Sequence, residues 1–292
     1  PYSGGGSPAA SPVGGASLFS PFWAPPAAIH RACAIVRCYK SRVTVDDIRV
    51  IVANEFIGTA ILIVLGCGIG ALTRLRHSLG FGAGNWALVA LGWGMAVYVG
   101  ASVSWASGAN LNPAVTLALS LNGTQEWSTL PFYFFGELTG AIAGAFLVYL
   151  AYKKQFDTEP DPQDTGTIFY TAPGVRSLGW NTVSEIIATF VLVYWIIQQA
   201  PWVPATADQP PQLGNAALGY AGVAFTVIAI GAGLGGPTGY AINPARDLGP
   251  RIAYALMPIK GKQKIDWGYA WVPIVGPLIG AALAAGLYSA NF

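Results

Sequence analysis

The sequence predicts an all-α membrane protein: six transmembrane helices plus two reentrant half-helices, arranged as an inverted internal repeat. Three observations carry this. Only 10% of the 292 residues are charged, against 53% hydrophobic, whereas a soluble domain carries about 25% charged residues. Apolar runs of about 20 residues, the length that crosses a bilayer as helix, recur along the chain. Landmarks of the first half return in the second at a nearly constant offset.

The expected spans are 50–72, 86–106, 129–152, 180–200, 214–237 and 268–290, each with at most one formal charge. They are continuous rather than alternating, which favours helices over barrel strands. Two further apolar segments, 112–122 and 243–257, are too short to cross. Both open with Asn-Pro-Ala, a capping residue followed by a proline suited to the first helical position. Residues 1–45 stand apart, rich in Pro, Gly, Ser and Ala and free of acids. They read as a disordered tail outside the membrane part or as a targeting segment. The membrane domain is then 46–292, its repeats at about 50–152 and 180–290.

The repeat is visible in single residues. Glu55 and Glu185 lie 130 positions apart in similar contexts, and Asn112 and Asn243 lie 131 apart. Gly136 and Gly140 answer Gly276 and Gly280 at 140. Three spans per half force the second half to insert upside down, and inverted repeats with interrupted helices point to a site near the midplane. The half-helices then enter from opposite faces with their N-termini meeting. Each end carries free N–H groups and about half a positive charge, a barrier to cations but not to neutral molecules.

Other chemistries have little to work with. There are three cysteines (Cys33, Cys38, Cys67) and two histidines (His30, His77), without zinc or disulfide spacing. A net charge of +2 with no concentrated basic patch excludes a nucleic-acid binder. Gly231, Gly233 and Gly236 fit G-x-G-x-x-G but lack its strand–helix setting.

Residues 50–290 resemble the major intrinsic protein family, the aquaporins and glycerol facilitators. The resemblance rests on SGANLNPAVTLAL at 107–119 and GGPTGYAINPARDLGPR at 235–251, and within the family it is strongest to bacterial glycerol uptake facilitators. It implies a passive channel for glycerol, small polyols and water that excludes protons and ions. It further implies a homotetramer in the lipid of the cell membrane, with no cofactor, no enzymatic activity and no nucleic-acid partner. The pore motifs would be Asn112, Pro113, Ala114 and Asn243, Pro244, Ala245. The selectivity filter would be Arg246, Tyr240, Gly231 and Trp93, with Val89 or Gly92 replacing Trp93 if the alignment takes no gap. Against this, Arg246 could be a structural partner of Asp247. Glu55 and Glu185 would bind the reentrant loops, while Asp247, Arg251 and Pro273 mark the glycerol branch. Glu137 is left as a lone buried acid or an interface group. Two alternatives stay open: a water-selective member, and a secondary transporter, which also uses inverted repeats but needs ion ligands or a titratable relay.

Basic residues before the first span (Arg37, Lys40, Arg42, Arg49) outnumber those after it (Arg74, Arg76), which puts the N-terminus in the cytosol. Lys153, Lys154, Arg176, Lys260, Lys262 and Lys264 then fall outside, against that rule.

Overall fold

Helix formation starts at Thr44, which caps the first span reciprocally with Asp47. The Thr44 hydroxyl accepts from the Asp47 N–H at 3.2 Å, and the Asp47 carboxylate accepts from the Thr44 N–H at 3.0 Å. The computed structural model describes residues 43–82, 86–199 and 218–291. The expectation of a tail over 1–45 falls almost wholly outside them.

The described residues form α1 (Val45–Arg74), α2 (Trp86–Val103), the short α3 (Pro113–Leu121), α4 (Leu130–Ala151), a one-turn α5 (Lys153–Asp157), α6 (Leu178–Ile197), α7 (Tyr220–Leu234), the short α8 (Pro244–Leu256) and α9 (Val272–Asn291). Five of these, α1, α2, α4, α6 and α9, are long and apolar enough to cross a membrane. The span expected at 214–237 is helical only over the 15 residues of α7. Residues 200–217, on its N-terminal side, lie outside the described part.

The halves correspond element by element. α1, α2, α3 and α4 match α6, α7, α8 and α9. Within each half the first and last helices pack most closely, α1 on α4 and α6 on α9, while α2 crosses to α7 of the other half. Glycines permit the approach. A Cβ on Gly140 would stand 2.3 Å from the Phe56 carbonyl oxygen, and one on Gly280 would stand 2.5 Å from that of Ile186. Gly136 and Gly276 likewise admit the Cβ atoms of Glu55 and Glu185. Lipid offers no hydrophobic drive for helix association, so close backbone contact through small residues supplies it. Large apolar side chains, among them Phe135, Leu147 and Leu283, stay exposed on the outward faces. That pattern suits a hydrocarbon surround.

Gly140→Ala is expected to destabilise the protein by about 1–3 kcal/mol, because Phe56 contributes backbone and cannot yield. Gly68→Ala, with open space around its Cβ, is expected to be neutral or stabilising. Thermal unfolding of the purified variants in detergent checks the contrast, and equal melting temperatures would remove the packing argument.

Candidate functional site

The site is built where the two reentrant loops meet. Residues 108–112 and 239–243 run into the N-termini of α3 and α8. Both loops hold two non-glycine residues in the left-handed region: Ala109 (φ 57°) and Leu111 (φ 55°), matched 131 positions on by Tyr240 (φ 40°) and Ile242 (φ 46°). Four non-glycine residues in that region are unfavourable, and the surroundings must enforce them.

Two buried carboxylates do so. Glu55 accepts the N–H groups of Asn110 (3.1 Å) and Leu111 (2.7 Å), and also the Ser107 hydroxyl (2.6 Å). Glu185 accepts those of Ala241 (2.9 Å) and Ile242 (2.8 Å), at the repeat-equivalent positions. At this depth no water serves the loop amides, so fixed acceptors must.

The asparagines complete the junction. Asn112 caps α3 by accepting from the Ala114 N–H at 2.9 Å, and Asn243 caps α8 by accepting from Ala245 at 2.9 Å and Arg246 at 3.1 Å. Each then donates across the midplane. Asn112 Nδ2 reaches the Ile242 carbonyl at 2.8 Å, and Asn243 Nδ2 reaches the Leu111 carbonyl at 2.7 Å. An amide nitrogen has two N–H groups, so one on each side chain is left for another acceptor. Pro113 and Pro244 occupy the first helical position, and Ala114 and Ala245 are buried behind them.

A cavity of about 320 Å³ runs past both asparagines. Its lining includes Trp93, Tyr240 and Arg246, and also Leu119, Ile196, Gln199 and Tyr220. Apolar side chains, among them Leu62, Val97, Leu192, Val223 and Val227, line it together with loop residues 108–112 and 240–243. The Arg246 guanidinium lies 3.7 Å from the Trp93 ring centre and donates to the Phe169 carbonyl at 3.3 Å.

Of the two placements open for the filter aromatic, the geometry brings Trp93 to Arg246. Val89 and Gly92 are absent from the cavity lining, and Gly92 faces Ile69 of α1. Gly231 is also absent from the lining. It lies against Tyr240, where a Cβ would come within 2.8 Å of the phenol carbon, so the space it leaves is filled by that ring. The alternative partnership of Arg246 with Asp247 does not form. Asp247 instead accepts from Arg251 Nε at 2.8 Å in a fully buried pair, and from the N–H (2.8 Å) and hydroxyl (2.6 Å) of Thr171. Pro273 sits in the first turn of α9, outside the lining.

Two roles were not foreseen, and the first corrects the reading of Glu137 as a lone buried acid or an interface group. Glu137 accepts from the Asn112 N–H (3.1 Å) and the Thr116 hydroxyl (2.6 Å), holding the first turn of α3. It has no repeat counterpart, because Pro277 follows Gly276, so the repeat could not reveal it. The second is the Phe169 carbonyl, whose role belongs to backbone and leaves no residue-type signal. Arg176 binds Asp266 at 2.8 Å, and this hydrogen bond holds the Asp266 carboxyl below its usual range. Among the described residues no group of three or more His, Cys, Asp or Glu could hold a metal.

Glu185→Ala strands two buried N–H groups and should destabilise the protein by about 1–3 kcal/mol for each. The expected outcome is loss of folded protein from detergent extracts, measured by size-exclusion chromatography. A monodisperse variant with wild-type stability would contradict the role given to this carboxylate.

The sequence profile of the Major intrinsic protein family matches residues 41–288. A probable glycerol uptake facilitator protein of Thermotoga maritima is 44% identical over 236 residues, covering 80% of this chain and 96% of that protein. The glycerol uptake facilitator protein of Bacillus subtilis is 44% identical over 240 residues, covering 82% and 84%. The X-ray structure of the aquaglyceroporin from Plasmodium falciparum superposes with a TM-score of 0.68 at 31% identity, covering 82% of this chain and 95% of that one. The chain is therefore a multi-pass membrane protein that belongs to the major intrinsic protein family.

Proposed function

We propose that residues 46–292 form a passive channel for glycerol and other small neutral solutes, with water as co-permeant, built from repeats at about 50–152 and 180–290. The observation that carries this is a cavity lined by both half-helix N-caps, Asn112 and Asn243, which we read as its waist, and by the Arg246–Trp93 pair, which we read as its constriction. Relatives named glycerol uptake facilitators support the permeant class.

The chemistry follows from the walls. A polyol is amphipathic: its carbons meet Trp93, Tyr240 and the apolar wall, while its hydroxyls meet the Arg246 guanidinium, the loop carbonyls and the free N–H of each asparagine. The solute itself stays neutral, so these contacts exchange as it advances. Gly231 serves the constriction indirectly, by giving the Tyr240 ring its place. The positive ends of α3 and α8 oppose cations at the waist, as in aquaporin-type pores generally. A permeating water that accepts from both asparagines is turned so that it cannot pass a proton along the file. No bond is made or broken and no cofactor takes part.

The assembly is a homotetramer in the plasma membrane, with the N-terminus cytosolic. The basic excess ahead of α1 supports that orientation. The basic residues on the opposite face run against that rule and have local partners. Arg176 pairs with Asp266 and Lys153 with Asp157, while Lys262 donates to the carbonyls of Tyr254, Ala255 and Met257 at the end of α8. A secondary transporter is disfavoured because the waist presents amides, not titratable groups.

Proteoliposomes in a glycerol gradient test the reading by light scattering. Rapid re-swelling with glycerol is expected, and none with an impermeant osmolyte. Shrinkage without re-swelling would assign a water-selective channel, and accumulation against a gradient would assign a transporter. Arg246→Val is expected to reduce discrimination between glycerol and xylitol by about tenfold, the weight of a hydrogen bond to a charged group, and to let monovalent cations leak. Unchanged exclusion of both would count against Arg246 as the sorting group.

A further inference from the structure

Among the described residues Arg246 is the one cation in the cavity wall, and two contacts orient its guanidinium: the Trp93 ring and the Phe169 carbonyl. The ring gives a face to slide on, whereas the carbonyl fixes a direction. Whatever holds Phe169 therefore aims the arginine.

Residues 169–171 are bolted to the opening turns of α8. The Asp247 carboxylate, adjacent to Arg246 in sequence, accepts both the N–H and the hydroxyl of Thr171, at 2.8 and 2.6 Å. The Thr171 carbonyl accepts from Arg251 Nη2 at 3.0 Å, and the Arg251 guanidinium lies 4.2 Å from the Tyr170 ring centre. Phe169 itself is fully buried, its ring against Phe156 and Tyr254. The contacts close a circuit: α8 grips the segment at Thr171, and the segment returns the Phe169 carbonyl to α8 at Arg246. Neither Phe169 nor Thr171 lines the cavity, so the circuit meets it only at Arg246.

We propose that Thr171 is a positioning residue for permeant selection: clamped by Asp247, it fixes the Phe169 carbonyl and so the direction in which Arg246 presents its remaining N–H groups. This rests on the reading of the protein as a glycerol channel sorted by Arg246. Thr171 is polar and buried, touches no permeant, and acts only through the arginine.

Thr171→Val keeps the shape and the backbone N–H but removes the hydroxyl donor. In proteoliposomes with matched protein content, the xylitol-to-glycerol flux ratio is expected to rise by about fivefold, the factor of one hydrogen bond. Thr171→Ser should retain the wild-type ratio. In an Arg246→Val background, Thr171→Val should add nothing, because its effect has no other route. An unchanged ratio in Thr171→Val overturns the proposal, as does an equal shift with and without Arg246. If Thr171→Val fails to accumulate in membranes, Asp247→Asn takes its place and must shift the ratio in the same direction; a wild-type ratio there is equally fatal. Wild-type vesicles that pass no glycerol would overturn the channel reading as a whole, whereas wild-type flux with an inert Thr171 overturns the clamp alone.

Discussion

A backbone N–H at the centre of a bilayer has no water to bond, and this constraint shapes the molecule. Two loops reach that depth, and every device around them answers their unpaired amides. Glu55 and Glu185 each span two successive loop amides. Asn112 and Asn243 accept from the helices they start and donate to the opposite loop. Burying carboxylates so deeply is costly on its own. Here the loop N–H dipoles and the two positive helix ends offset that cost, and the carboxylates in turn hold the left-handed residues in place. Removing either member would leave the other stranded.

The twofold plan is kept where it builds the junction and abandoned around Arg246. An offset of 131 carries Val115 to Arg246, Thr116 to Asp247 and Ser120 to Arg251. The first half thus presents a neutral turn to the cavity, while the second presents a cation with an acid–base pair behind it. Glu137 belongs to the other side of this division. It steadies α3 through Asn112 and Thr116, as Asp247 ties α8 to Thr171. Both half-helices are anchored by a carboxylate, but the acid comes from a neighbouring helix in one case and from within the half-helix in the other.

Much of this was legible in the residues. Continuous apolar runs located the spans, because hydrocarbon demands them whatever the tertiary packing. The Asn-Pro-Ala pairs located the half-helices, because capping is a local matter. The repeat offset tied Glu55 to Glu185 and brought Asn112 to Asn243. Less was legible where contact replaced pattern. Trp93 could not be separated from Val89 or Gly92 by counting, since the register of a helix against a loop is set by packing. Gly231 reads as open space in a sequence, yet Tyr240 fills it. Arg246 read as the filter cation with a pairing to Asp247 left open, and only the fold turned that carboxylate towards Arg251 and Thr171. The α7 span lacks a sharp start signal, and its described helix is shorter than its apolar run.

The reciprocal asparagine bonds also set an order of events during biosynthesis. The acceptor for Asn112 is the Ile242 carbonyl, 130 residues further along. At ribosomal speeds of about 5–20 residues per second, the first half-helix waits on the order of ten seconds for the partner that completes it. In the folded protein Glu55 and Glu137, both supplied by the first half, hold the Asn110, Leu111 and Asn112 amides, so these anchors are synthesised before Ile242. The cross-loop bonds and the packing of α2 on α7 must wait for the second half.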